Sequence, residues 1–283
     1  MNRLKRILIT GIGACVLTIA SAQATVSDST LLNNIWAFGI GEIELYDSYL
    51  SPAIYSGLNY TWDATHGAFY KTSNNRVSWQ NRNSFCYSTA YNPAYSAAYN
   101  YVSGSIGYAS YYHFRPATKL VIMTGGLLNA EGGVKYNSRN VNNIASGDIN
   151  LTLYASVITR YNLKINKFHM GMQYELLTPI IGVMFVPEFG HSYYEMYENL
   201  PNGLDQIIHF SSFHNKQGIK GNLALDFILS GITLRVGMAH NYQYWHANNL
   251  YFSQNQINFN IGTVVDLQLF GGKKAQSKHP VWE

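Results

Sequence analysis

Gly221-Asn222-Leu223-Ala224-Leu225-Asp226-Phe227-Ile228-Leu229-Ser230-Gly231-Ile232-Thr233-Leu234-Arg235-Val236-Gly237-Met238-Ala239-His240-Asn241-Tyr242 reads as two β-strands joined by a two-residue turn at Ser230-Gly231. If Leu229 pairs with Ile232, then Phe227 opposes Leu234, Leu225 opposes Val236 and Leu223 opposes Met238 on one face, while Asp226 opposes Arg235 on the other. A one-residue slip would separate the ion pair and mix the two faces, so pattern and turn chemistry specify the same register. One face of this hairpin is apolar without interruption, and the other carries opposite charges that match.

The same period of two recurs along the chain. In Ile149 to Tyr161, Ile149, Leu151, Leu153, Ala155 and Val157 alternate with Asn150, Thr152, Tyr154, Ser156 and Arg160. In Ile257 to Leu269, Ile257, Phe259, Ile261, Val265 and Leu267 alternate with Asn258, Asn260, Asp266 and Gln268. Further strands are predicted over 35–46, 53–63, 76–88, 98–113, 118–131 and 167–178, about ten in all, an even number as antiparallel closure expects. Short connections fall near 114–117, 162–166 and 230–231, and long ones at 132–148, 179–216 and 245–256. Sorting into a short side and a long side is the habit of a membrane barrel with periplasmic turns and extracellular loops. A soluble β-sandwich also alternates, but with shorter strands and unsorted connections.

Composition selects the same class. Charged residues make up 12% of the chain, about half the usual share for soluble domains, beside 23 Tyr and 24 Gly. Lipid-facing residues, aromatic girdles and an uncharged polar lumen would produce this balance. The N-terminus has the pattern of a secretory signal peptide: Arg3, Lys5 and Arg6, an apolar stretch Ile7 to Ala20 too short to span a bilayer, and small residues before a cleavage site after Ala24. Cys15 in a lipobox is the competing reading, but the apolar run continues past it. Removing residues 1–24 lowers the formal charge from +4 to +1, so no basic surface argues for nucleic acid. Of the two cysteines only Cys86 would remain, without a disulfide partner. The expected organisation is a signal peptide at 1–24, a lead-in at 25–34, an outer-membrane barrel at 35–270 and a periplasmic tail at 271–283.

A barrel of this strand number is narrow, and its lumen is expected to be filled by side chains rather than open. Alternation points Arg82, Arg160, Glu175, Asp226, Arg235 and Asp266 inward, balanced in sign, as a luminal charge network. Candidate chemistry elsewhere is sparse. His209-Phe210-Ser211 puts an imidazole and a hydroxyl on one strand face, with His214 nearby, in the arrangement of a general base and nucleophile, but no third group orients the histidine. His191 with Glu195, or His209 with His214, would hold a metal only in a favourable backbone conformation. Neither a metal nor any other cofactor is expected. The 179–216 segment, with Met184-Phe185-Val186-Pro187-Glu188-Phe189-Gly190 and Tyr193, Tyr194 and Tyr197, is unusually aromatic for a loop. It reads either as a lid on the barrel mouth or as a binding surface.

Tyr46-Asp47-Ser48-Tyr49-Leu50-Ser51-Pro52-Ala53-Ile54-Tyr55-Ser56-Gly57 resembles the early signature of an uncharacterised outer-membrane β-barrel family, a domain of unknown function, found in Bacteroidota. Gly182-Val183-Met184-Phe185, Pro187-Glu188, Gly190 and Ser192-Tyr193-Tyr194-Glu195 resemble its mid-chain signature, and Phe213-His214-Asn215 and strand 256–270 fit as well. The resemblance supports the fold and an outer-membrane location in a Gram-negative cell, and it implies no activity. It singles out Tyr49, Pro52, Pro187, Glu188, Tyr193, Tyr194 and Asn215, with the two prolines read as shapers of turns.

The functional expectation is a non-enzymatic outer-membrane barrel in contact with membrane lipid and lipopolysaccharide, whose loops meet a surface protein or glycan. Two alternatives are a lipid-acting acyl hydrolase using His209 or His214 with Ser211 or Ser212, and a narrow pore for ions or small solutes.

Overall fold

A computed structural model describes residues 33–73, 76–137, 144–165, 168–188, 193–199, 207–229 and 232–266. The strands are β1 (Asn33–Asp47), β2 (Ser51–Phe69), β3 (Val77–Tyr91), β4 (Ala98–Ala117), β5 (Leu120–Tyr136), β6 (Ala145–Ile165), β7 (Phe168–Phe185), β8 (Ile208–Ser212), β9 (Lys216–Leu229), β10 (Ile232–Ala247) and β11 (Leu250–Asp266), with a short helix α1 (Tyr193–Asn199) between β7 and β8. Each strand pairs antiparallel with its neighbours, and β1 closes the cylinder on β11 through a ladder from Asn33↔Asp266 to Asp47↔Phe252. Both β8 and β9 lie along β7, one above the other, so they act as a single interrupted strand and the closed barrel has ten staves. At the interruption, β7 itself shifts register between Ile181 and Pro179, where the proline has no N–H to offer the ladder.

The register of the β9–β10 hairpin is the one its sequence predicts: Leu229↔Ile232, Phe227↔Leu234, Asp226↔Arg235, Leu225↔Val236 and Leu223↔Met238. Asp226, fully buried, accepts from Arg235 Nε at 2.6 Å and Nη2 at 2.8 Å inside the barrel. The outward face is a belt of exposed apolar and aromatic side chains: Trp36, Phe38 and Ile40 on β1, Ile106 on β4, Leu153 and Val157 on β6, Met238 on β10, and Ile257, Phe259 and Ile261 on β11. A soluble protein does not leave so continuous an apolar surface in water. The chain is a transmembrane barrel, with all backbone pairing internal and the apolar alternation turned outward.

Three predicted loops are corrected. The 245–256 loop is instead the ends of β10 and β11 joined by Asn248-Asn249, whose φ values of 51° and 58° are the left-handed conformation that a tight hairpin turn demands. The 132–148 loop shrinks because β5 runs to Tyr136 and β6 starts at Ala145, and the 179–216 loop because β7 runs to Phe185 and β8 and β9 rebuild the wall. The cause is common to all three. Strands of up to 21 residues outrun the roughly 9–11 needed to cross lipid, and beyond the belt their outer faces turn polar, as at Glu42, Glu44 and Asn255, so alternation fades while pairing continues. The sorting of connections is also less strict than predicted, since the end that holds Asn33 and Asp266 carries the 70–76 connection as well as short turns. That end is called the turn end below, and the opposite one the loop end. Of the predicted lead-in, Asn33 and Asn34 already belong to β1, whereas the signal peptide, the final strand residues to Phe270 and the tail lie outside the described residues.

The belt makes a quantitative prediction. Phe259→Arg should destabilise the folded barrel in lipid by about 2–4 kcal/mol, and Glu44→Arg, beyond the belt on the adjacent strand, by about 0–1 kcal/mol. Urea titrations of the two variants in vesicles check this, and equal effects would mean the belt is misplaced.

Candidate functional site

Toward the loop end the lumen is filled. Ile43 and Leu45 of β1, Tyr55 of β2, Ala90 of β3, Tyr99 and Tyr101 of β4, Met184 and Val186 after the middle of β7, and Leu250 and Phe252 of β11 form one buried cluster. The Tyr55 and Tyr99 rings stack at 3.7 Å, and those of Trp245 and Phe252 at 5.3 Å. Lys135, without exposed surface, sits among them, with its ammonium 2.6 Å from Asp47 Oδ2, 2.8 Å from Asp148 Oδ1 and 4.1 Å from the centre of the Phe252 ring. A buried cation held by two carboxylates and an aromatic face ties β1, β5, β6 and β11 together across the mouth.

The residues singled out by the family resemblance surround this plug. Tyr49 lies in the turn between β1 and β2, its N–H on Asp47 Oδ1 at 3.0 Å and its ring edge-on to Tyr193 at 5.9 Å. Burial, with Tyr193, Asp47 and Glu195 adding to it, pushes the Tyr49 phenol up to about 12, so it stays neutral at the mouth. Burial also raises Tyr193, against the opposing pull of the Gly147 N–H, which its phenolic oxygen accepts at 2.7 Å. Pro187 and Val186 offer their carbonyls to Asn248 Nδ2 at 3.3 and 3.4 Å, and the Glu188 N–H points at Met196 Sδ at 3.3 Å. Asn215 organises the interruption between β8 and β9, accepting from the Ser212 N–H at 3.0 Å and donating to the Phe210 carbonyl at 2.9 Å. Tyr194, 68% exposed, points away from the plug. Pro52 is corrected: it lies within β2, where the β1–β2 register shifts between Leu45 and Asp47, rather than in the turn.

Below the plug the predicted inward charges form two groups. Arg82 Nη1 is 2.6 Å from Glu175 Oε1, and its Nη2 donates to Gln80 Oε1 and the Tyr111 hydroxyl. Asp226 is shared by Arg235 and by Arg160, whose Nη2 is 3.2 Å away. Of Asp266 only the backbone pairing with Asn33 is described. Sequence reasoning missed further inward charges: Lys135, Asp47 and Asp148 at the mouth, Lys220 with Glu131 at 3.5 Å, Lys216 hydrogen-bonded to Asn150 and Thr152 at 2.9 and 2.8 Å, and Asp63. Lys135, Asp148 and Lys216 fall in segments read as loops, and Asp47 and Lys220 lie one residue beyond predicted strands. Extending the alternation of β5 by parity from Asn129 and Glu131 would have reached Lys135.

Side chains fill the lumen at the loop end and, on the β4 to β7 side, in a second buried cluster of Ala109, Tyr111, Met123, Leu127, Tyr154, Ile158 and Leu177. From the level of Glu131, Lys220 and Gln254, past the Arg82–Glu175 pair, to the turn end, the barrel encloses a cavity of about 1070 Å³, lined among others by Thr61, Asp63, Asn129 and Gln256 and reaching the rim at Arg115 to Thr118. On β1 it is lined by Ile35 and Ala37. Side chains from neighbouring strands lie over Gly39, where an added Cβ would collide with Asn260 Oδ1 and Thr61 Oγ1.

Of the histidine–serine pairings named from the sequence, His214 with Ser212 forms and His209 with Ser211 does not. His209 and Ser211 share the inner face of β8, but Ser211 Oγ is buried without a hydrogen bond. The contact that forms is between Ser212 Oγ and His214 Nδ1, 2.6 Å apart and exposed, with the His214 ring stacked on Phe210. His191 lies outside the described residues.

Among solved structures, the barrel is similar to the outer-membrane protease OmpT from Escherichia coli, at TM-score 0.44 and 8% identity over 86% of this chain and 99% of that one. It is also similar to the beta domain of the Bordetella autotransporter BrkA, at TM-score 0.42 and 11% identity over 82% and 98%. The transport unit of the autotransporter AIDA-I from Escherichia coli gives TM-score 0.41 and 12% identity over 89% and 97%. No curated protein matches the chain. A family model described as a protein of unknown function, DUF3316, matches residues 8–274, and the chain belongs to that family.

Proposed function

We propose that this protein is a non-conducting outer-membrane barrel, its turn end toward the periplasm, its mouth sealed to the outside, and its loop-end wall in contact with lipopolysaccharide. The observation that carries the reading is the mouth plug: stacked tyrosines around a buried Lys135 held by Asp47 and Asp148 leave the loop end without a path through the described residues. The pore alternative needs such a path. Lipid contact is supported by the outer wall of β6 to β8. There the apolar face climbs to the loop end through the cross-strand rows Leu151–Val183–Phe210 and Ile149–Phe185–Ile208, ending at Phe213. On β1 the same height is occupied by the outward Glu42 and Glu44. Acyl chains of a bulky outer-leaflet lipid fit the first wall and not the second.

The acyl-hydrolase alternative retains the Ser212–His214 contact and has no orienting carboxylate on the imidazole among the described residues. It requires acyl release from phosphatidylethanolamine vesicles that His214→Ala abolishes. We expect no release from either protein.

In planar bilayers the purified barrel should be silent, whereas Tyr55→Ala/Tyr99→Ala, which empties the stacked pair from the mouth, should show intermittent conductance steps. Discrete steps from the unaltered protein would end the sealed-mouth reading. Lipopolysaccharide that co-purifies with the detergent-extracted barrel should fall by about half or more in Phe210→Ser/Phe213→Ser, given the ~25 cal/mol per Å² that each exposed ring would bury. An unchanged yield would remove the lipid contact.

A further inference from the structure

We propose that the luminal cavity is a binding site for a polyhydroxylated ligand of oligosaccharide size, entered from the turn end. Its volume of about 1070 Å³ lies at the upper end of the roughly 300–1,000 Å³ usual for ligand pockets. The plug makes it a dead end, so whatever enters at the rim must leave by the same way. Its chemistry is uneven around the wall. Arg82 of β3 is bound to Glu175 of β7 and Lys220 of β9 to Glu131 of β5, so these charges are already matched. On the β11 side four successive inward residues are carboxamides: Gln254, Gln256, Asn258 and Asn260. A carboxamide both donates and accepts, as a sugar hydroxyl does, and carries no charge that would select an ionic partner.

Hydrogen-bonding capacity on this wall is unused. Thr61 Oγ1 and Asn260 Oδ1, packed over Gly39, are buried without partners. Both atoms are closed off from the cavity itself, so hydrogen bonds to an occupant fall to the groups that line it, the carboxamides and Asp63. Beside Thr61 on the same face of β2, Asp63 lines the cavity and makes no ion pair or hydrogen bond among the described residues. The cations acting on it, Lys220 and Arg82, are already engaged with Glu131 and Glu175. An ionised carboxylate offers acceptors alone, suited to two vicinal hydroxyls or to the ammonium of an amino sugar. Nearer the opening, the Phe69 and His113 rings, 4.7 Å apart, both line the cavity and present an apolar face of the sort on which a pyranose ring stacks.

Isothermal titration of the purified full chain in detergent, with maltotriose and with the glucosamine trimer in parallel, tests the proposal. At least one trisaccharide should bind saturably with one-to-one stoichiometry. Asp63→Leu should weaken that binding by about tenfold while leaving heat-modifiable migration and the unfolding midpoint unchanged or raised, because the carboxylate bonds to no described residue of the empty barrel. Asp63→Asn tells the two saccharide chemistries apart: weakening of both trimers means that the carboxylate receives hydroxyls, and selective loss of the glucosamine trimer means that it receives an ammonium. Either result supports the site. No saturable binding of either trimer up to about 10 mM, or binding that Asp63→Leu leaves untouched, overturns it and leaves a cavity filled by solvent only.

Discussion

The constraint on which the structure depends is that a backbone crossing hydrocarbon has no water to satisfy its N–H and C=O groups. A sheet meets this condition only when it has no edge, so the ladder between β1 and β11, from Asn33↔Asp266 to Asp47↔Phe252, is what permits the remaining strands to stand in lipid at all. Closure then separates two environments along every strand with a period of two. What faces outward is set by lipid and what faces inward by the few neighbours available in a narrow tube. The interruption between β8 and β9 breaks this order at one place. There Asn215 takes over the vacated groups, its side chain capping the Ser212 N–H and the Phe210 carbonyl and its own carbonyl receiving the His246 N–H.

This separation explains which features were legible in the sequence. Strand existence and parity were readable wherever lipid enforces the outer face, and the β9–β10 register followed from a two-residue turn plus one matched ion pair, each of which alone would have tolerated a slip. Beyond the belt the outer face is free to be polar, and there the reading failed: β10 and β11 continue through Tyr244, His246, Tyr251 and Ser253 with no apolar alternation to mark them. Backbone pairing, which is invisible in composition, carries the strands on to Asn248-Asn249. The inward charges divide along the same boundary. Arg82, Glu175, Asp226 and Arg235 lie on strands whose outer face announces them, whereas Lys135, Asp148 and Lys216 lie above it. The interruption at Phe213–Asn215 gave no signal beyond its place in the family resemblance, since nothing local distinguishes a turn that rejoins the same wall from one that begins a loop.

The lumen shows how a narrow barrel manages buried charge. A single cation or carboxylate turned inward is costly, and the cost falls only when partners from several strands converge on it. Asp226 accepts from Arg235 on the neighbouring strand and from Arg160 across the interior, and Lys135 is met by Asp47 and Asp148 from two separate strands. Each such knot fixes the relative height of staves that share no ladder, which is a specification of register that hairpin turns alone do not provide.

Filling and emptying the same tube are therefore separate decisions made by different strands. At the loop end, large aromatic residues on β2, β4 and β11 converge and exclude solvent. Lower down, β4 to β7 keep an apolar cluster around Tyr111, Met123, Tyr154 and Ile158, while β11 turns four carboxamides into the cavity instead of apolar bulk. If a plug alone were required, the β11 wall would gain stability from apolar packing, as the loop end does, because burying apolar area is favourable and leaving Thr61 and Asn260 unsatisfied is not. An open chamber with a carboxamide wall beneath a dry seal gives up that stability. Such a sacrifice in an otherwise well-paired lumen is what an interior shaped for an occupant looks like, since functional sites are where local choices depart from those that maximise stability.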